Sequence, residues 1–261
     1  MQLPDAIDSI RRSVVQIQAF REGNEPATIG TGFIVASSGD TVHVVTANHV
    51  VEAVDTAAGQ SIHVAFAAPD VIEPTFQMRA GFVGTSARVV DAVFKQDLAL
   101  LEVTGQRTAL LAEIESKTGS KTMYRRETYR DPARLSSTKL REGVALAVSG
   151  YPLAEPSLVT NAGIFATTFS VAGGREGYLG DFTVNPGNSG GPVYTVGNAE
   201  VIGVCAAIKR RSYLAGLTLI VPVDQVRAML EWNGLVAGVA SNEPAETQQK
   251  RKRSGKRRRR G

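Results

Sequence analysis

Ser189 is the side chain of this sequence whose setting best suits a nucleophile. It lies in the run Asn185-Pro186-Gly187-Asn188-Ser189-Gly190-Gly191-Pro192. The glycines allow the backbone to turn sharply, to direct successive N–H groups into a concavity and to leave the hydroxyl exposed. A serine nucleophile needs these features, because its attack on a carbonyl creates an oxyanion that must find donors already in place. Glycine-rich turns are common, so the run gains weight only from the histidine and the aspartate that precede it, in the order His, Asp, Ser.

His49 is the histidine that could serve such a serine as a base. It follows Thr46-Ala47-Asn48 at the end of a predicted strand, a position from which its ring can face a cleft. His43 and His63 alternate with apolar residues in strand patterns, which indicates solvent-facing positions. A histidine taken alone is more often structural than catalytic, and the Ser189 motif is what favours His49.

Asp97 is the acidic residue that best fits the histidine. It heads the apolar run Leu98-Ala99-Leu100-Leu101, and a carboxylate at the start of a buried strand can orient an imidazole and stabilise the imidazolium. The alternative is a turn residue at a strand edge. Asp91 is the nearest rival, and its neighbours indicate an outward position in an alternating strand.

The sequence offers no second set of reactive groups. The single cysteine, Cys205, follows Gly203-Val204 in an apolar strand, so it is predicted to be a small buried hydrophobic residue. No Cys and His cluster has metal-ligand spacing, and no phosphate-binding loop is present. We therefore expect a chemistry that needs neither a metal nor another cofactor.

Short strands separated by turns dominate the pattern, which predicts an all-β architecture. The 26 glycines and 11 prolines agree with many turns. Strands are predicted at residues 14–19, 30–35, 41–46, 61–67, 77–82, 87–93, 98–103, 144–149, 157–171, 191–196, 200–207 and 217–221, and short helices at 5–12, 109–115 and 224–232.

The net charge of +4 combines two different parts. Residues 248–261 hold nine Lys and Arg and no acid, whereas the rest of the chain has 20 basic and 25 acidic residues, a formal charge of −5. Such a tail can bind nucleic acid or another polyanion in a salt-dependent way. It can also serve as a targeting signal, bind anionic lipid, or be a solvated disordered segment.

The N-terminus and the cysteine content predict a cytoplasmic protein. Residues 1–5 lack the charged and then apolar pattern of a signal peptide, and one cysteine cannot form an intrachain disulfide. No apolar run approaches membrane-spanning length, so no transmembrane segment is expected. A nuclear location is the alternative if the source is eukaryotic.

Three ordered motifs resemble those of trypsin-like serine peptidases, and in particular of their HtrA/Deg branch. They are Thr46-Ala47-Asn48-His49-Val50, Gln96-Asp97-Leu98-Ala99-Leu100-Leu101 and the run at 185–192. Five framework segments are also similar to the family, at residues 30–35, 149–152, 159–164, 181–189 and 202–204. The resemblance covers roughly residues 7–232.

The resemblance implies a chymotrypsin fold of two six-stranded antiparallel β-barrels, with short helices at both ends of the chain. The N-terminal barrel would span residues 1–104 and carry the histidine and the aspartate. A connecting segment would span 105–139, the C-terminal barrel with the serine would span 140–235, and a disordered basic tail would span 236–261.

It also implies a serine endopeptidase that forms an acyl-enzyme. Ser189 would be the nucleophile, His49 the general base and then acid, and Asp97 the orienting carboxylate. The N–H groups of Gly187 and Ser189 would form the oxyanion hole. The alternative is a latent or inactive trypsin-like binding module, held on nucleic acid or another polyanion by its basic tail.

The substrate pocket is where the sequence departs most from the family. The resemblance assigns Thr183, Leu217, Thr218 and Leu219 to substrate binding, and Thr218 stands where the family usually has glycine. No acid occupies an obvious pocket position, so we expect a small or medium apolar side chain before the scissile bond. Two further departures are expected: no PDZ module follows the second barrel, and no secretion signal precedes the first.

Overall fold

The computed structural model describes residues 1–20, 26–52, 54, 60–66, 85–104, 108–115, 121–127, 129–154, 157–171, 175–206, 216–236 and 240–241. Its helices are α1 (Leu3–Arg11), α2 (Asn48–Val51) and α3 (Val223–Trp232). Its strands are β1 (Val14–Phe20), β2 (Pro26–Ser38), β3 (Thr41–Thr46), β4 (Ser61–Phe66), β5 (Thr85–Val93), β6 (Leu98–Thr104), β7 (Thr108–Glu115), β8 (Lys121–Glu127), β9 (Ala145–Gly150), β10 (Val159–Val171), β11 (Arg175–Asp181), β12 (Pro192–Thr195), β13 (Val201–Cys205), β14 (Leu217–Pro222) and β15 (Ala240–Ser241).

The strands form two closed antiparallel barrels. The first has the order β1-β4-β5-β6-β3-β2, and pairing of β1 with β2 closes it. The second has the order β9-β10-β11-β14-β13-β12 and is also closed. Closure removes the unpaired edges that an open sheet would present. The predicted fold class, two six-stranded barrels with short terminal helices, is confirmed.

Strands at the junction of the barrels are buried on both faces. In β6, Leu98 and Leu100 join an apolar cluster that spans both barrels, whereas Ala99 and Leu101 join the interior of the first barrel. This explains why the sequence here is a continuous apolar run rather than an alternation. The spanning cluster, which we call the interbarrel core, contains the buried residues Ala6, Ile10, Val14, Phe33, Val35, Val45, Leu98, Leu100, Ala133, Ala147, Tyr151, Tyr194, Ala199, Val201, Val204, Val226, Met229 and Leu230.

The two longer helices complete the interbarrel core. α1 begins where the Gln2 N–H donates to Asp5 Oδ2 (3.0 Å), and it buries Ala6 and Ile10. α3 buries residues three or four apart on one face, and its chain turns away at Gly234, whose N–H donates to the Glu231 carbonyl. Both ends of the globule are thereby fixed to the junction that lies between the barrels.

The segment between the barrels differs from the prediction. Residues 109–115, predicted as a helix, lie in β7, which pairs antiparallel with β8. Alanine, leucine and glutamate favour helix intrinsically, but seven residues are too few for a stable isolated helix, and hairpin pairing decides the outcome. β11, which pairs with both β10 and β14, was not predicted either, because its glycines and charged residues do not give a typical strand pattern. The strand predicted at 77–82 lies outside the described residues.

The C-terminal segment is described only in part. Within the predicted disordered tail, Ala240–Ser241 forms β15, which pairs in parallel with Ser37 and Ser38 of β2. Residues 242–261, which include the basic run, lie outside the described residues, and the segment boundaries at 104, 139 and 235 stay predictions. Among the described helices, none has the length and apolar character needed to cross a membrane.

Candidate active site

Pairing of β3 with β6 brings His49 to Asp97. The two strands are antiparallel, with Thr46 opposite Ala99, so the end of β3 lies beside the start of β6. α2 begins one residue beyond Ala47, and the Asn48 N–H donates to the Asp97 carbonyl (3.1 Å). The strand register therefore sets the distance between the histidine and the aspartate.

The His49 ring and the Asp97 carboxylate are in direct contact. Nδ1 of His49 lies 2.8 Å from Asp97 Oδ2 and 3.0 Å from Oδ1, and the His49 backbone N–H donates to Oδ1 (3.0 Å). A carboxylate can only accept hydrogen bonds, so Nδ1 carries a proton, and in the neutral ring Nε2 is then the nitrogen with the lone pair. About a third of each side chain is exposed. This arrangement suits a base whose free nitrogen faces a cleft.

The backbone of Asp97 adopts a left-handed conformation to make this contact. Its φ is +53°, and its N–H donates to the Phe94 carbonyl (3.2 Å) at the end of the 3₁₀ turn Phe94–Gln96. Aspartate tolerates this region better than most residues, at a cost of about 1–2 kcal/mol. Such costs are concentrated at functional sites.

The serine loop, residues 185–191, is fixed to the first barrel at Thr31. The Thr31 N–H donates to the Ser189 carbonyl (2.9 Å), and Thr31 Oγ1 donates to the Gly187 carbonyl (2.6 Å). Gly190 has a φ of +84°, and a Cβ there would overlap the Thr31 carbonyl oxygen and lie 2.8 Å from the Ala47 nitrogen. Ser189 is thus held beside the end of β3, where the chain leads into His49.

The Ser189 hydroxyl and the His49 imidazole are the two groups between which proton transfer would take place. Within the described part of the chain, no hydrogen bond joins Ser189 Oγ to the His49 ring, and Ser189 is 8% exposed. Hydrogen bonds of this kind often tighten only when substrate is bound.

Two backbone N–H groups of the serine loop are oriented away from protein acceptors. The Pro186 carbonyl accepts from the Leu153 N–H (2.8 Å), and the Asn188 carbonyl accepts from the Gly191 N–H (3.0 Å). In a trans peptide the N–H points opposite to the carbonyl, so the N–H groups of Gly187 and Ser189 point away from these partners. Among the described residues, neither N–H donates to a carbonyl.

The four residues predicted to bind substrate do not share one surface. Thr218 is fully buried, and its Oγ1 donates to the Phe182 carbonyl (2.6 Å). Leu217 and Leu219 are half-buried and point to the opposite face of β14, since side chains alternate along a strand. Thr183 is exposed, and its carbonyl accepts from Asn161 Nδ2 (2.7 Å). The pocket itself stays a prediction.

The other two histidines have partners of their own, outside the serine loop. His43 Nε2 lies 3.6 Å from Glu102 Oε2, and burial lowers the pKa of His43 despite that carboxylate. His63 Nε2 lies 3.1 Å from Ser61 Oγ, and its ring packs edge-on against Phe20 at 5.0 Å. Among the described residues, no group of three or more acidic, histidine or cysteine side chains could hold a metal ion.

Two residues at the serine loop were not singled out as site residues by the sequence. Cys205 exchanges backbone hydrogen bonds with Gly190 (2.7 Å) and Gly191 (2.9 Å). Burial, and secondarily the charge of Asp97, raises the pKa of the Cys205 thiol to about 12, so it is no rival nucleophile at neutral pH. Thr31 is the other, and the signal for it is a polar residue between two glycines in a strand, a place where another backbone can approach closely.

A double barrel with an imidazole–carboxylate pair on one barrel and an anchored serine loop on the other defines the class of trypsin-like peptidases. A profile of the family described as "Trypsin-like peptidase domain" matches residues 30–204, two thirds of the sequence. The chain belongs to this family.

Curated relatives carry the same family character. A "Probable periplasmic serine endoprotease DegP-like" of Pseudomonas putida (strain W619) is 28% identical over 205 residues, which cover 77% of this chain and 33% of the relative. Its counterpart in Marinomonas sp. (strain MWYL1) is 27% identical over 246 residues, 88% of this chain and 43% of the relative. The chain thus spans between a third and a half of the length of these relatives.

Solved structures share the fold. "Crystal structure of Deg5" matches with a TM-score of 0.61 at 21% identity, covering 86% of this chain and 90% of that one. The serine endoprotease from Yersinia pestis matches with a TM-score of 0.60 at 17% identity, covering 88% and 66%. The recognition of the HtrA/Deg branch is confirmed by these relatives.

The predicted cytoplasmic location is wrong, because the curated relatives are named as periplasmic proteases. The prediction rested on residues 1–5 and on a single cysteine, and neither distinguishes a cytoplasmic from a periplasmic protein. One cysteine, for example, forms no intrachain disulfide in any compartment. The names of the relatives give no support to a nucleic-acid partner, and polyanion binding by residues 248–261 stays a prediction.

Proposed function

We propose that this protein is a serine endopeptidase that cleaves peptide bonds through Ser189, His49 and Asp97. The observation that carries the proposal is the contact of His49 Nδ1 with both oxygens of Asp97, which in the neutral ring makes Nε2 the nitrogen that can accept the hydroxyl proton. The serine loop supports it, because its two outward N–H groups stand on either side of Asn188, next to the nucleophile itself.

Acylation begins when Ser189 Oγ attacks the carbonyl carbon of the scissile bond. His49 Nε2 takes the hydroxyl proton, and Asp97 stabilises the resulting imidazolium through Nδ1. The carbonyl oxygen becomes an oxyanion that accepts from the N–H groups of Gly187 and Ser189. Nε2 then returns the proton to the leaving amine, the C–N bond breaks, and an ester links the acyl group to Ser189.

Deacylation repeats these steps with water. His49 removes a proton from the water molecule, whose oxygen attacks the ester, and the same N–H groups receive the second oxyanion. Collapse of this intermediate releases the carboxylic acid and returns the proton to Ser189 Oγ. The sequence of steps uses only groups of the chain and water.

We further propose that the protein acts in the periplasm on polypeptide substrates, as the names of its relatives suggest. A small or medium apolar residue is proposed before the scissile bond. The reason for this proposal is that Thr218 stands where the family usually has glycine, and its fully buried side chain donates to the Phe182 carbonyl (2.6 Å).

Labelling by a fluorophosphonate tests the mechanism. The wild-type protein should be labelled at one site and should hydrolyse unfolded casein, whereas Ser189→Ala should do neither. Ser9→Ala, which changes an exposed serine on α1, is the matched control and should behave as wild type. A wild-type protein that is folded yet neither labelled nor active would support the latent or binding-module alternative, and labelling that persists in Ser189→Ala would reject Ser189 as nucleophile.

A further inference from the structure

The serine loop lacks an anchor among its own side chains. Asn188 is its most buried polar residue, at 1% exposure, yet neither its carboxamide oxygen nor its nitrogen has a hydrogen-bond partner among the described residues. The loop is held instead from outside, by a residue of the other barrel. That residue is Thr31, which is fully buried.

The Thr31 hydroxyl joins three parts of the molecule. Oγ1 donates to the Gly187 carbonyl (2.6 Å) and accepts from the Tyr151 N–H (2.9 Å), so it uses both its donor and an acceptor site. The Thr31 carbonyl in turn accepts from Thr46 Oγ1 (2.7 Å), which fixes Thr31 within the first barrel. A threonine on β2 therefore bridges the serine loop and the turn that follows β9.

Both peptide planes that flank Gly187 depend on this hydroxyl. The plane after Gly187 is held directly, through its carbonyl. The plane before it is held by the Leu153 N–H, which donates to the Pro186 carbonyl (2.8 Å), and Leu153 lies two residues beyond the Tyr151 N–H that binds Thr31. The direction of the Gly187 N–H is set by these two planes.

We propose that Thr31 is a positioning residue that orients the Gly187 N–H for the oxyanion. The inference rests on the proposed function. It adds a residue of the first barrel to the proposed oxyanion hole, whose N–H donors belong to the second barrel. Thr31 touches no reacting atom, so its removal should affect the transition state rather than the binding of substrate. The barrel that carries the base thereby also controls the donors beside the nucleophile.

Thr31→Val is the decisive variant, because it removes only the hydroxyl and keeps the branched shape. Loss of a whole oxyanion donor lowers turnover by about 10²–10³, and a misdirected donor should lower it by part of that. We expect kcat on a fluorogenic peptide to fall by roughly 10–100-fold while KM changes less than about threefold, since substrate binding does not use the hole. Fluorophosphonate labelling should slow by a similar factor, and the shape of the pH profile should stay unchanged, because the His49–Asp97 contact is intact.

Two further variants separate positioning from simple loss of structure. Thr31→Ser restores the hydroxyl and should recover kcat to within about threefold of wild type. Ser13→Ala is the matched control: it removes a similarly buried hydroxyl, one that donates to the Ile10 carbonyl of α1 (2.8 Å) rather than to the serine loop or to Thr31. If Thr31→Val does not fold, Thr31→Cys, a weaker donor, should still show at least a fivefold lower kcat than Thr31→Ser.

The proposal is overturned if folded Thr31→Val keeps wild-type kcat, if KM rises while kcat holds, or if Ser13→Ala loses as much activity. Hydrogen exchange gives a readout that does not need activity: the Tyr151 and Leu153 amides should exchange faster in Thr31→Val and not in Ser13→Ala. A wild-type protein that neither hydrolyses nor reacts would reject the proposed function, and the exchange rates alone would then decide whether Thr31 holds the loop.

Discussion

Comparison of Gly187→Ala with Gly143→Ala separates the effect of backbone strain from the loss of an oxyanion donor. Gly187 has a φ of +102°, and a Cβ there would overlap the Tyr151 carbonyl oxygen and lie 2.9 Å from Pro152 Cα and 3.1 Å from the Leu153 nitrogen. All three are backbone atoms, which cannot rotate away as a flexible side chain can. The serine loop must therefore move to accept the methyl group.

Gly143 provides the matched control. Its φ of +82° is also positive, but nothing lies within 4 Å of the position its Cβ would take. Alanine in this region costs about 1–2 kcal/mol at either site. Since about 1 kcal/mol shifts the Tm of a chain of this size by about 2–4 °C, Gly143→Ala should lower the Tm by about 2–8 °C. Its activity should stay within about twofold of wild type.

Gly187→Ala should show this backbone cost, the further cost of displacing the serine loop, and a large catalytic loss. Displacement of the Gly187 N–H removes one donor to the oxyanion, which costs about 10²–10³ in turnover, or about 2.7–4 kcal/mol of transition-state stabilisation. We expect kcat to fall at least 100-fold while the Tm stays within about 10 °C of wild type. The assay is kcat on a fluorogenic peptide, with unfolding followed by circular dichroism. A folded Gly187→Ala whose kcat lies within threefold of Gly143→Ala would refute the reasoning.

Four further predictions use other parts of the structure. Asp97→Asn should lower kcat by roughly 10⁴ with little change in KM, because an amide can no longer hold the ring in the tautomer with a free Nε2; a loss under tenfold would remove Asp97 from the mechanism. The thiol of Cys205, whose pKa is raised to about 12, should resist iodoacetamide at pH 8 until the protein is unfolded, and rapid alkylation of the native protein, measured by mass spectrometry, would contradict its burial. Burial lowers the pKa of His43 in the folded state, so the unfolded state binds the proton more readily and the free energy of unfolding should fall as the pH drops below about 6.5. Urea unfolding at pH 7.5 and 5.5 should show a smaller difference in this free energy for His43→Gln than for wild type. An equal difference would exclude His43 as the cause. A peptide library should show a small or medium apolar residue before the scissile bond, whereas a strong preference for Arg or Lys would contradict the role given to Thr218.

The three reactive residues could be found from the sequence because each lies in a short local pattern. A nucleophile turn needs glycines within a few residues of Ser189, and Gly190 indeed lies where no Cβ fits. Asp97 could be found because it precedes a run that is apolar on both strand faces. Because requirements of this kind involve residues only a few positions apart, they produce motifs that can be recognised in the sequence.

Other features were decided by contacts that no local pattern contains. Residues 109–115 carry helix-favouring side chains and still form a strand, because a partner at 121–127 supplies its hydrogen bonds. Thr218 and Leu219 are neighbours in sequence but point to opposite faces of β14, so the residues assigned to one pocket do not all face the same side of the strand.

The sequence by itself determined which residue types could perform acyl transfer and that strands would carry them, since both follow from local chemistry and periodicity. Only the tertiary structure decided what holds them in place: Thr31 lies 156 residues before Gly187, and its hydroxyl meets that carbonyl only because two barrels pack together. A hydrogen bond of this span depends on the position of whole domains, and it leaves no pattern in either segment beyond a polar residue between two glycines.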